Sequence, residues 1–218
     1  MPAEGTLCGG GSMDLSLIET LRWEPGAGFV RLERHLARLT HSVAALELPG
    51  AEKAEAALAE ACADSEIPLR VRLELFADGR IEVQTAAFSP LAPDATWRLA
   101  IADTRLASTD PLLRHKTSRR ARYVVARAEF PASEVDEVVL LNERGELCEG
   151  TITTLFLDDG SGRLKTPPLA SGLLAGVLRA ELLENGKAVE AILRSDDLSS
   201  GQIFVGNSLR GLIRGTLS

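Results

Sequence analysis

Lysine is scarce in this chain, and one of its four lysines stands in an unusual setting. Lys116 lies within the basic run RHKTSRR at residues 114–120, at the predicted entry of a helix. Lys53 stands in a charged helix start, Lys187 in a turn and Lys165 at the end of a strand. Positive neighbours and burial both disfavour the ammonium form, so they lower the pKa of a lysine. Such a lysine can attack an aldehyde and form a Schiff base. Lys116 is therefore a candidate nucleophile, and the alternative is a solvated basic loop.

A glutamate in the second half of the chain could support chemistry on a nitrogen-containing ring. Glu149 lies in the run LCEGT at residues 147–151, between predicted strands. A buried carboxylate needs a cationic partner, and a protonated pyridine nitrogen is one such partner. The alternative is a surface residue on an edge strand, and the local pattern alone favours the surface.

Two further segments have the composition of anion-binding sites. Residues 166–179 (TPPLASGLLAGVLR) form a loop rich in Pro and Gly that opens a helix, where free N–H groups meet the positive end of the helix dipole. Residues 206–208 (GNS) form a small polar turn that could add a hydroxyl and N–H groups to the same anion. Both segments also fit ordinary structure, namely a loop-to-helix junction and a hairpin.

The elements that must position these residues follow from hydrophobic periodicity. Apolar residues recur on one stripe between Leu32 and Leu46, which predicts a helix over residues 31–48. Arg38 lies on this helix roughly a third of a turn from the stripe, so the helical wheel places it toward solvent. The other predicted helices cover residues 51–63, 118–130 and 172–184, and the predicted strands cover residues 13–23, 69–77, 80–87, 97–103, 137–141, 147–149, 151–158, 164–165, 188–193, 202–206 and 209–217.

This mixture of elements predicts an α+β fold with two lobes rather than an open Rossmann sheet. We expect a flexible tail at residues 1–12 and a small N-terminal lobe at residues 13–106. Residues 107–117 would link the lobes and include Lys116, and residues 118–218 would form a β-rich C-terminal lobe.

The composition excludes several classes of protein. The chain has 218 residues, and 45% of them are hydrophobic, as in an ordinary folded protein. Its formal net charge of −7 makes it a poor general binder of nucleic acids. No apolar run is long enough to span a bilayer, and we find no secretory signal at the N-terminus. We therefore expect a cytoplasmic protein without a membrane or nucleic-acid partner.

The cysteines and histidines do not predict a metal site or a disulfide framework. Cys8, Cys62 and Cys148 are odd in number and widely spaced. His35 and His41 share a helix, but they are six residues apart, which does not match the spacing of helical metal ligands. We expect no metal and regard Cys148, next to Glu149, as a packing residue.

Taken together and in order, these motifs resemble the class IV aminotransferase family, the fold-type IV pyridoxal-phosphate enzymes. This family includes branched-chain aminotransferases, D-amino-acid aminotransferases and 4-amino-4-deoxychorismate lyases. The resemblance extends from about residue 15 to the C-terminus and implies the two-lobed fold of D-amino-acid aminotransferase. The matching runs are IETLR (18–22), HLARL (35–39), KTSRR (116–120), DEVVLL (136–141), GELCEGT (145–151), TPPL…GLLAGVLR (166–179) and FVGNS (204–208).

The resemblance implies a role for individual residues toward pyridoxal 5'-phosphate. Lys116 would form the Schiff base with the cofactor, and Glu149 would pair with its pyridine nitrogen. Arg38 would contact the cofactor phosphate, although the helical wheel places it toward solvent. Val177 and Leu178 would offer backbone N–H groups and Ser208 its hydroxyl to the same phosphate, and Asn207 lines the same turn. The candidates for substrate carboxylates are Arg22, Arg72 and Arg120.

The chain also departs from the pattern of the family. The first lobe is short, because residues 14–16 (DLS) stand where a strand and a Gly-Asp-Gly-like run are usual. Thr154 replaces the usual Asn, and Leu178 replaces a Thr common in transaminases. Ala121 stands where aminotransferases have a tyrosine, and Tyr123 lies two residues further on. These changes weaken the prediction of a branched-chain transaminase.

The short first lobe and the arginines resemble 4-amino-4-deoxychorismate lyase-like domains. The predicted reaction releases pyruvate and 4-aminobenzoate in folate biosynthesis. One alternative is an aminotransferase for D- or branched-chain amino acids. Two others are a degenerate member without catalysis and an acidic interaction module without a cofactor. The resemblance also implies a homodimer and a functional link to aminodeoxychorismate synthase.

Overall fold

Two β-sheets organise the chain in the computed structural model, which describes residues 15–218. The tail predicted at residues 1–12 lies outside the described residues, as does Cys8. The first sheet has four antiparallel strands and the second has eight strands. No helix within residues 15–218 is long and apolar enough to cross a membrane.

The first sheet and two helices form the N-terminal lobe. Its elements are β1 (Ser16–Glu24), β2 (Gly28–Phe29), α1 (Leu32–Leu46), α2 (Ala54–Cys62), β3 (Leu69–Phe76) and β4 (Ile81–Ala87), with the strands in the order β2-β1-β3-β4. Apolar residues alternate in β3, so one face of the sheet is buried against the helices. The opposite face of β3 presents Arg70, Arg72 and Glu74.

The second sheet forms a barrel in the C-terminal half. Its elements are β5 (Thr96–Leu106), α3 (Ala121–Ala128), β6 (Glu137–Asn142), β7 (Leu147–Gly150), β8 (Thr154–Asp158), β9 (Leu164–Thr166), α4 (Val177–Glu184), β10 (Ala188–Glu190), β11 (Gln202–Asn207) and β12 (Gly211–Leu217). The strand order is β10-β9-β8-β11-β12-β5-β6-β7, and β7 also pairs with β8, which closes a ring of six strands. Each of these six strands contributes to one buried cluster: Leu99, Val139, Leu141, Leu147, Leu155, Leu157, Ile203, Val205 and Ile213.

The observed elements correct the predicted ones in four places. The strand predicted at 97–103 in the first lobe is β5, which pairs with β6 and β12, so the chain passes between the sheets before residue 96 rather than near 107. Pro and Gly residues delay α4, which begins at Val177 rather than at residue 172. Helices α2 and α3 are shorter than predicted as well, because residues 51–53 form a 3₁₀ turn and α3 covers only residues 121–128.

The two lobes are joined by ion pairs and by backbone hydrogen bonds. Arg31, which precedes α1, and Arg34 on α1 bind Glu181 and Glu184 of α4, at 2.7 Å and 2.6 Å. Residues 116–118 pair with β1, as described below. These contacts enclose a space between the lobes.

Candidate active site

A cavity of about 420 Å³ lies between the two lobes. Its walls come from β1, α1 and β3 of the first lobe, and from residues 110–123, the β7–β8 connection, the start of α4 and the turn after β11 of the second. Predicted site residues on these walls are Arg38, Lys116, Arg120, Glu149, Val177, Leu178, Asn207 and Ser208. The fold thus brings together residues that are up to 170 positions apart, since Arg38 and Ser208 line the same cavity.

Lys116 is held in an extended segment and not at the entry of a helix. Ile18 N–H donates to the carbonyl of Lys116 at 2.7 Å, and Ser118 N–H donates to the carbonyl of Ser16 at 2.9 Å. Leu17 and Thr117 form the β-bridge between these bonds. The backbone of Lys116 is therefore fixed by β1 of the other lobe, and α3 begins only five residues later.

The surroundings of Lys116 favour its neutral amine. Burial lowers the pKa of Lys116 to about 8, and the positive charges of Arg38 and Arg120 act in the same direction. The carboxylates of Glu19 and Glu149 oppose this change. Lys116 consequently loses its proton at a lower pH than an ordinary lysine, as suits a nucleophile or a base.

Glu149 is buried, and the surface position favoured by its local pattern is wrong. Its residue is 5% exposed, Tyr123 Oη donates to its Oε1 at 2.6 Å, and the N–H of Leu174 donates to the same oxygen at 3.2 Å. Burial raises the pKa of Glu149 to about 7, although these two donors and the charges of Lys116 and Arg120 lower it. A positive group in the cavity would restore its full charge.

A β-bulge explains why Glu149 faces the cavity. Leu140 pairs with Glu149, and the next residue of β6, Leu141, pairs with Leu147, so Cys148 has no partner in the ladder. Bulges of this kind redirect side chains and are frequent near active sites. Cys148 is fully buried, its Sγ donates to the carbonyl of Ser171, and burial raises the pKa of its thiol. It packs rather than reacts.

Arg38 faces the cavity and not solvent, which corrects the helical wheel. Its guanidinium binds both oxygens of Glu19, at 2.8 Å and 2.6 Å, and donates to the carbonyl of Ala175 at 3.3 Å. Burial raises the pKa of Glu19, but Arg38 and His35 outweigh it and bring the value to about 2. The wheel fails here because a carboxylate on a facing strand offers Arg38 a buried partner.

A buried chain of hydrogen bonds connects Glu19 to the polar turn. His35 Nδ1 lies 2.6 Å from Glu19 Oε2, and His35 Nε2 lies 2.8 Å from Ser208 Oγ. His35 and Glu19 are almost wholly buried. Both residues lie inside matching motifs, but local spacing predicts no role for them, because a contact between lobes leaves no trace in it.

The first turn of α4 and the turn after β11 form one wall. Val177, Leu178 and Arg179 open α4 with N–H groups that have no carbonyl four residues before them within the helix, since the first such bond joins Ala180 to Gly176. Gly176 approaches Thr154 closely, because a Cβ on Gly176 would lie 2.6 Å from Thr154 Oγ1. With Arg38 and Ser208, these groups could hold an anion such as phosphate.

The predicted substrate arginines are placed differently from one another. Arg120 lines the cavity, donates to the carbonyl of Thr151, and lies 4.6 Å from the centre of the Tyr123 ring. Arg22 and Arg72 lie outside the cavity wall, each paired with a glutamate on its own strand. Two arginines that sequence analysis missed, Arg70 and Arg210, do line the cavity. The alternation of apolar and polar residues in β3 predicts that Arg70 lies on the open face of the sheet, but it does not predict how close Arg70 lies to the cavity.

The comparison with family models decides the classification. Residues 16–217 match the model of amino-transferase class IV. This chain belongs to the class IV aminotransferase family. The family and the fold class predicted from ordered motifs are confirmed, and the chain is an enzyme of the lyase or aminotransferase type.

The relatives of this class IV protein have names for two reactions. A Schizosaccharomyces pombe protein, provisionally named an aminodeoxychorismate lyase, is 35% identical over 93% of this chain and 89% of its own. A Thermotoga maritima protein, provisionally named a branched-chain-amino-acid aminotransferase, is 30% identical over 82% of this chain and 66% of its own. A Mesorhizobium loti crystal structure, provisionally described as an amino-acid aminotransferase, has a TM-score of 0.92 and 51% identity, covering 94% of this chain and 100% of its own.

Proposed function

We propose that the cavity binds pyridoxal 5'-phosphate and that the protein is a 4-amino-4-deoxychorismate lyase, which releases pyruvate and 4-aminobenzoate. The donor set supports the cofactor. The cavity offers an amine of lowered pKa at Lys116, a buried carboxylate at Glu149 and anion donors at Arg38, Ser208 and the first turn of α4. An aldehyde, a basic ring nitrogen and a phosphate need these three kinds of group, so the residues fit the cofactor.

Each of these residues would act on a particular part of the cofactor or substrate. When bound, the cofactor supplies a conjugated ring that stabilises negative charge beside the substrate amine. Glu149 would keep the ring nitrogen protonated, since its carboxylate is buried and held by Tyr123. Arg38, Ser208 and the N–H groups of α4 would anchor the phosphate.

Lys116 Nζ would move the proton that starts the reaction. With the cofactor and substrate bound, Lys116 Nζ in its unprotonated form would accept the proton from the ring carbon that bears the substrate amine. The bond between the neighbouring ring carbon and the ether oxygen would then break, and the methylene carbon of the released enolpyruvate would take up the proton, so that pyruvate departs as the substrate ring becomes aromatic. Atoms balance without an oxidant or a 2-oxoacid acceptor.

The charge of the cavity is the observation that supports the lyase. Its walls include six arginines but only two acidic residues, Asp110 and Glu149, and Glu19 behind the wall neutralises just one of the six, Arg38. The lyase substrate has two carboxylates, whereas a branched-chain amino acid has one. An excess of guanidinium groups beyond those needed for the phosphate therefore suits the dianion. The lyase name of the Schizosaccharomyces pombe relative supports the same reaction.

An aminotransferase is the second candidate, because the Mesorhizobium loti structure with that description is 51% identical. A product assay separates the two. The protein loaded with pyridoxal phosphate is given 4-amino-4-deoxychorismate alone, and in parallel a panel of D- and L-amino acids with 2-oxoacids. We expect equal amounts of pyruvate and 4-aminobenzoate without any 2-oxoacid, and no product from Lys116→Ala. Turnover of amino-acid pairs alone would overturn the lyase.

The predicted homodimer, the cytoplasmic location and the link to aminodeoxychorismate synthase stay predictions. Sedimentation of the purified protein tests the first of them directly.

A further inference from the structure

We infer that Arg70 and Arg210 together form a carboxylate-binding site on the cavity wall, which makes the enzyme specific for dicarboxylate substrates. The inference rests on the proposed function only in that the carboxylate belongs to the substrate. Arg70 comes from β3 of the first lobe, and Arg210 follows the turn after β11 in the second. Both line the cavity.

Arg70 differs from the neighbouring arginines on the open face of the first sheet, because carboxylates neutralise those neighbours but not Arg70. Three arginines lie there, since Arg22 is directly opposite Arg70 across β1 and β3, and Arg72 is two residues further along β3. Glu24 binds Arg22, and Glu74 binds Arg72. Within residues 15–218, Arg70 has no such carboxylate partner, and of the three it alone lines the cavity. Its charge is thus available to a ligand.

Arg210 is also held in place by its neighbours, and no carboxylate of the described residues pairs with it. Its guanidinium lies 5.8 Å from the centre of the Trp97 ring, a cation–π contact that orients it, and its backbone N–H donates to Asn207 Oδ1 at 3.0 Å. In the described part of the chain it forms no ion pair. The Glu137 carboxylate accepts hydrogen bonds from Thr151 and other groups of the β7–β8 connection and does not pair with Arg210. Its negative charge acts on Arg210 only at longer range.

The two guanidinium groups repel each other. Burial lowers the pKa of Arg210, and the positive charge of Arg70 lowers it further. Two like charges facing one cavity from different lobes raise the free energy of the empty site, and a carboxylate between them removes that cost. A guanidinium also binds carboxylate oxygens in a planar, bidentate manner, so the pair favours carboxylates over other anions.

Binding of substrate-like dicarboxylates without an amine tests the pair separately from catalysis. Chorismate and glutarate serve as probes, and benzoate as the monocarboxylate control, each titrated by calorimetry into the protein loaded with pyridoxal phosphate. The variants are Arg70→Gln and Arg210→Gln. Arg72→Gln is the matched control, because Arg72 lies on the same strand face but is neutralised by Glu74 and lies outside the cavity.

We expect Arg70→Gln and Arg210→Gln each to weaken binding of a dicarboxylate about tenfold or more. In the double variant Arg70→Gln with Arg210→Gln, the fold-loss of affinity should be smaller than the product of the two single fold-losses, since one carboxylate would be held by both side chains. Benzoate binding should change less, Arg72→Gln should stay within about twofold of the parent, and the affinity for pyridoxal phosphate should be unchanged in all three variants.

The possible results separate this inference from the lyase. Arginine-dependent binding of glutarate but not chorismate would keep the pair and count against the lyase. Equal affinity of both dicarboxylates for the parent and the two variants would overturn the pair, whatever the product assay gives. Failure of the parent protein to bind either dicarboxylate would overturn it as well.

Discussion

The hydroxyl of Tyr123 donates a hydrogen bond of 2.6 Å to Oε1 of Glu149. Tyr123 lies on the first turn of α3, two residues after the position where aminotransferases of this family have a tyrosine. The only tyrosine of the chain thus contacts the carboxylate that would hold the cofactor ring. Burial raises the pKa of this tyrosine, and the charge of Glu149 adds to the effect, so Tyr123 remains a donor over the whole working pH range.

Removal of this donor should change the pH dependence of the enzyme. In Tyr123→Phe, the pKa of Glu149 should rise above its present value of about 7, because burial is then opposed by one hydrogen bond fewer. We expect the Kd for pyridoxal phosphate to rise by roughly tenfold or more at pH 6 and by less toward pH 9, because Glu149 of the empty site must ionise before it can pair with the ring nitrogen. Absorbance titrations across this pH range measure the effect. Superimposable Kd profiles for the two proteins would exclude the proposed role.

Replacement of Glu149 should stabilise the protein without cofactor while it damages catalysis. Its pKa is raised from 4.5 in the unfolded chain to about 7 in the fold, so its contribution to stability is full below pH 4.5 and is lost as the pH rises through 7. At pH 8, Glu149→Gln should therefore increase the free energy of unfolding by as much as about 3 kcal/mol. Urea unfolding at pH 5 and pH 8 measures the difference. If the variant is less stable than the parent at pH 8, then the ionised carboxylate of Glu149 does not destabilise the empty site.

Glu19 should behave in the opposite way. It is buried against Arg38 and His35, so Glu19→Gln leaves two cationic or polar groups without their carboxylate and should destabilise the fold by about 3–5 kcal/mol at pH 7. Its pKa is depressed from 4.5 to about 2, so this stabilisation is present above pH 4.5 and is lost as the pH falls toward 2. The stability gap between the two proteins should narrow at pH 3 in urea titrations. A constant gap from pH 7 to pH 3 would mean that charge plays no part in it.

The close approach of Gly176 to Thr154 can be tested by a pair of substitutions. In Gly176→Ala, the new methyl group would lie 2.6 Å from Thr154 Oγ1 and should displace the first turn of α4, at a cost of about 1–3 kcal/mol. We expect the Kd for pyridoxal phosphate, measured by absorbance titration, to rise about tenfold. The double variant Gly176→Ala with Thr154→Ala removes the clash and should recover most of the affinity. An unaltered Kd in the single variant would show that this turn does not position the phosphate.

Much of this architecture follows from the sequence, because it depends on local periodicity. Helix α1 and the β3–β4 hairpin were predicted within a few residues, since their apolar residues recur at regular intervals. The assignment of β5 to a lobe was wrong, since periodicity predicts a strand but not the sheet in which it pairs. The start of α4 was predicted too early, because a Gly-rich loop retains helical spacing without helical backbone.

The site was less predictable than the elements. The burial of Glu149 depends on a bulge at Cys148, and one extra residue in a strand cannot be read from alternation. The inward position of Arg38 depends on Glu19 in another element. For both residues, the resemblance to a family predicted the inward position where the local pattern predicted solvent. Arg70 and His35 required the packed lobes.

The attachment of the cofactor to Lys116 is the central claim. The protein is incubated with pyridoxal 5'-phosphate, reduced with borohydride, digested and mapped by mass spectrometry. We expect one pyridoxyl group per chain, on Lys116, and none on Lys116→Ala at the same cofactor concentration. Labelling of Lys53, Lys165 or Lys187 in preference to Lys116, or no label at all, would contradict it.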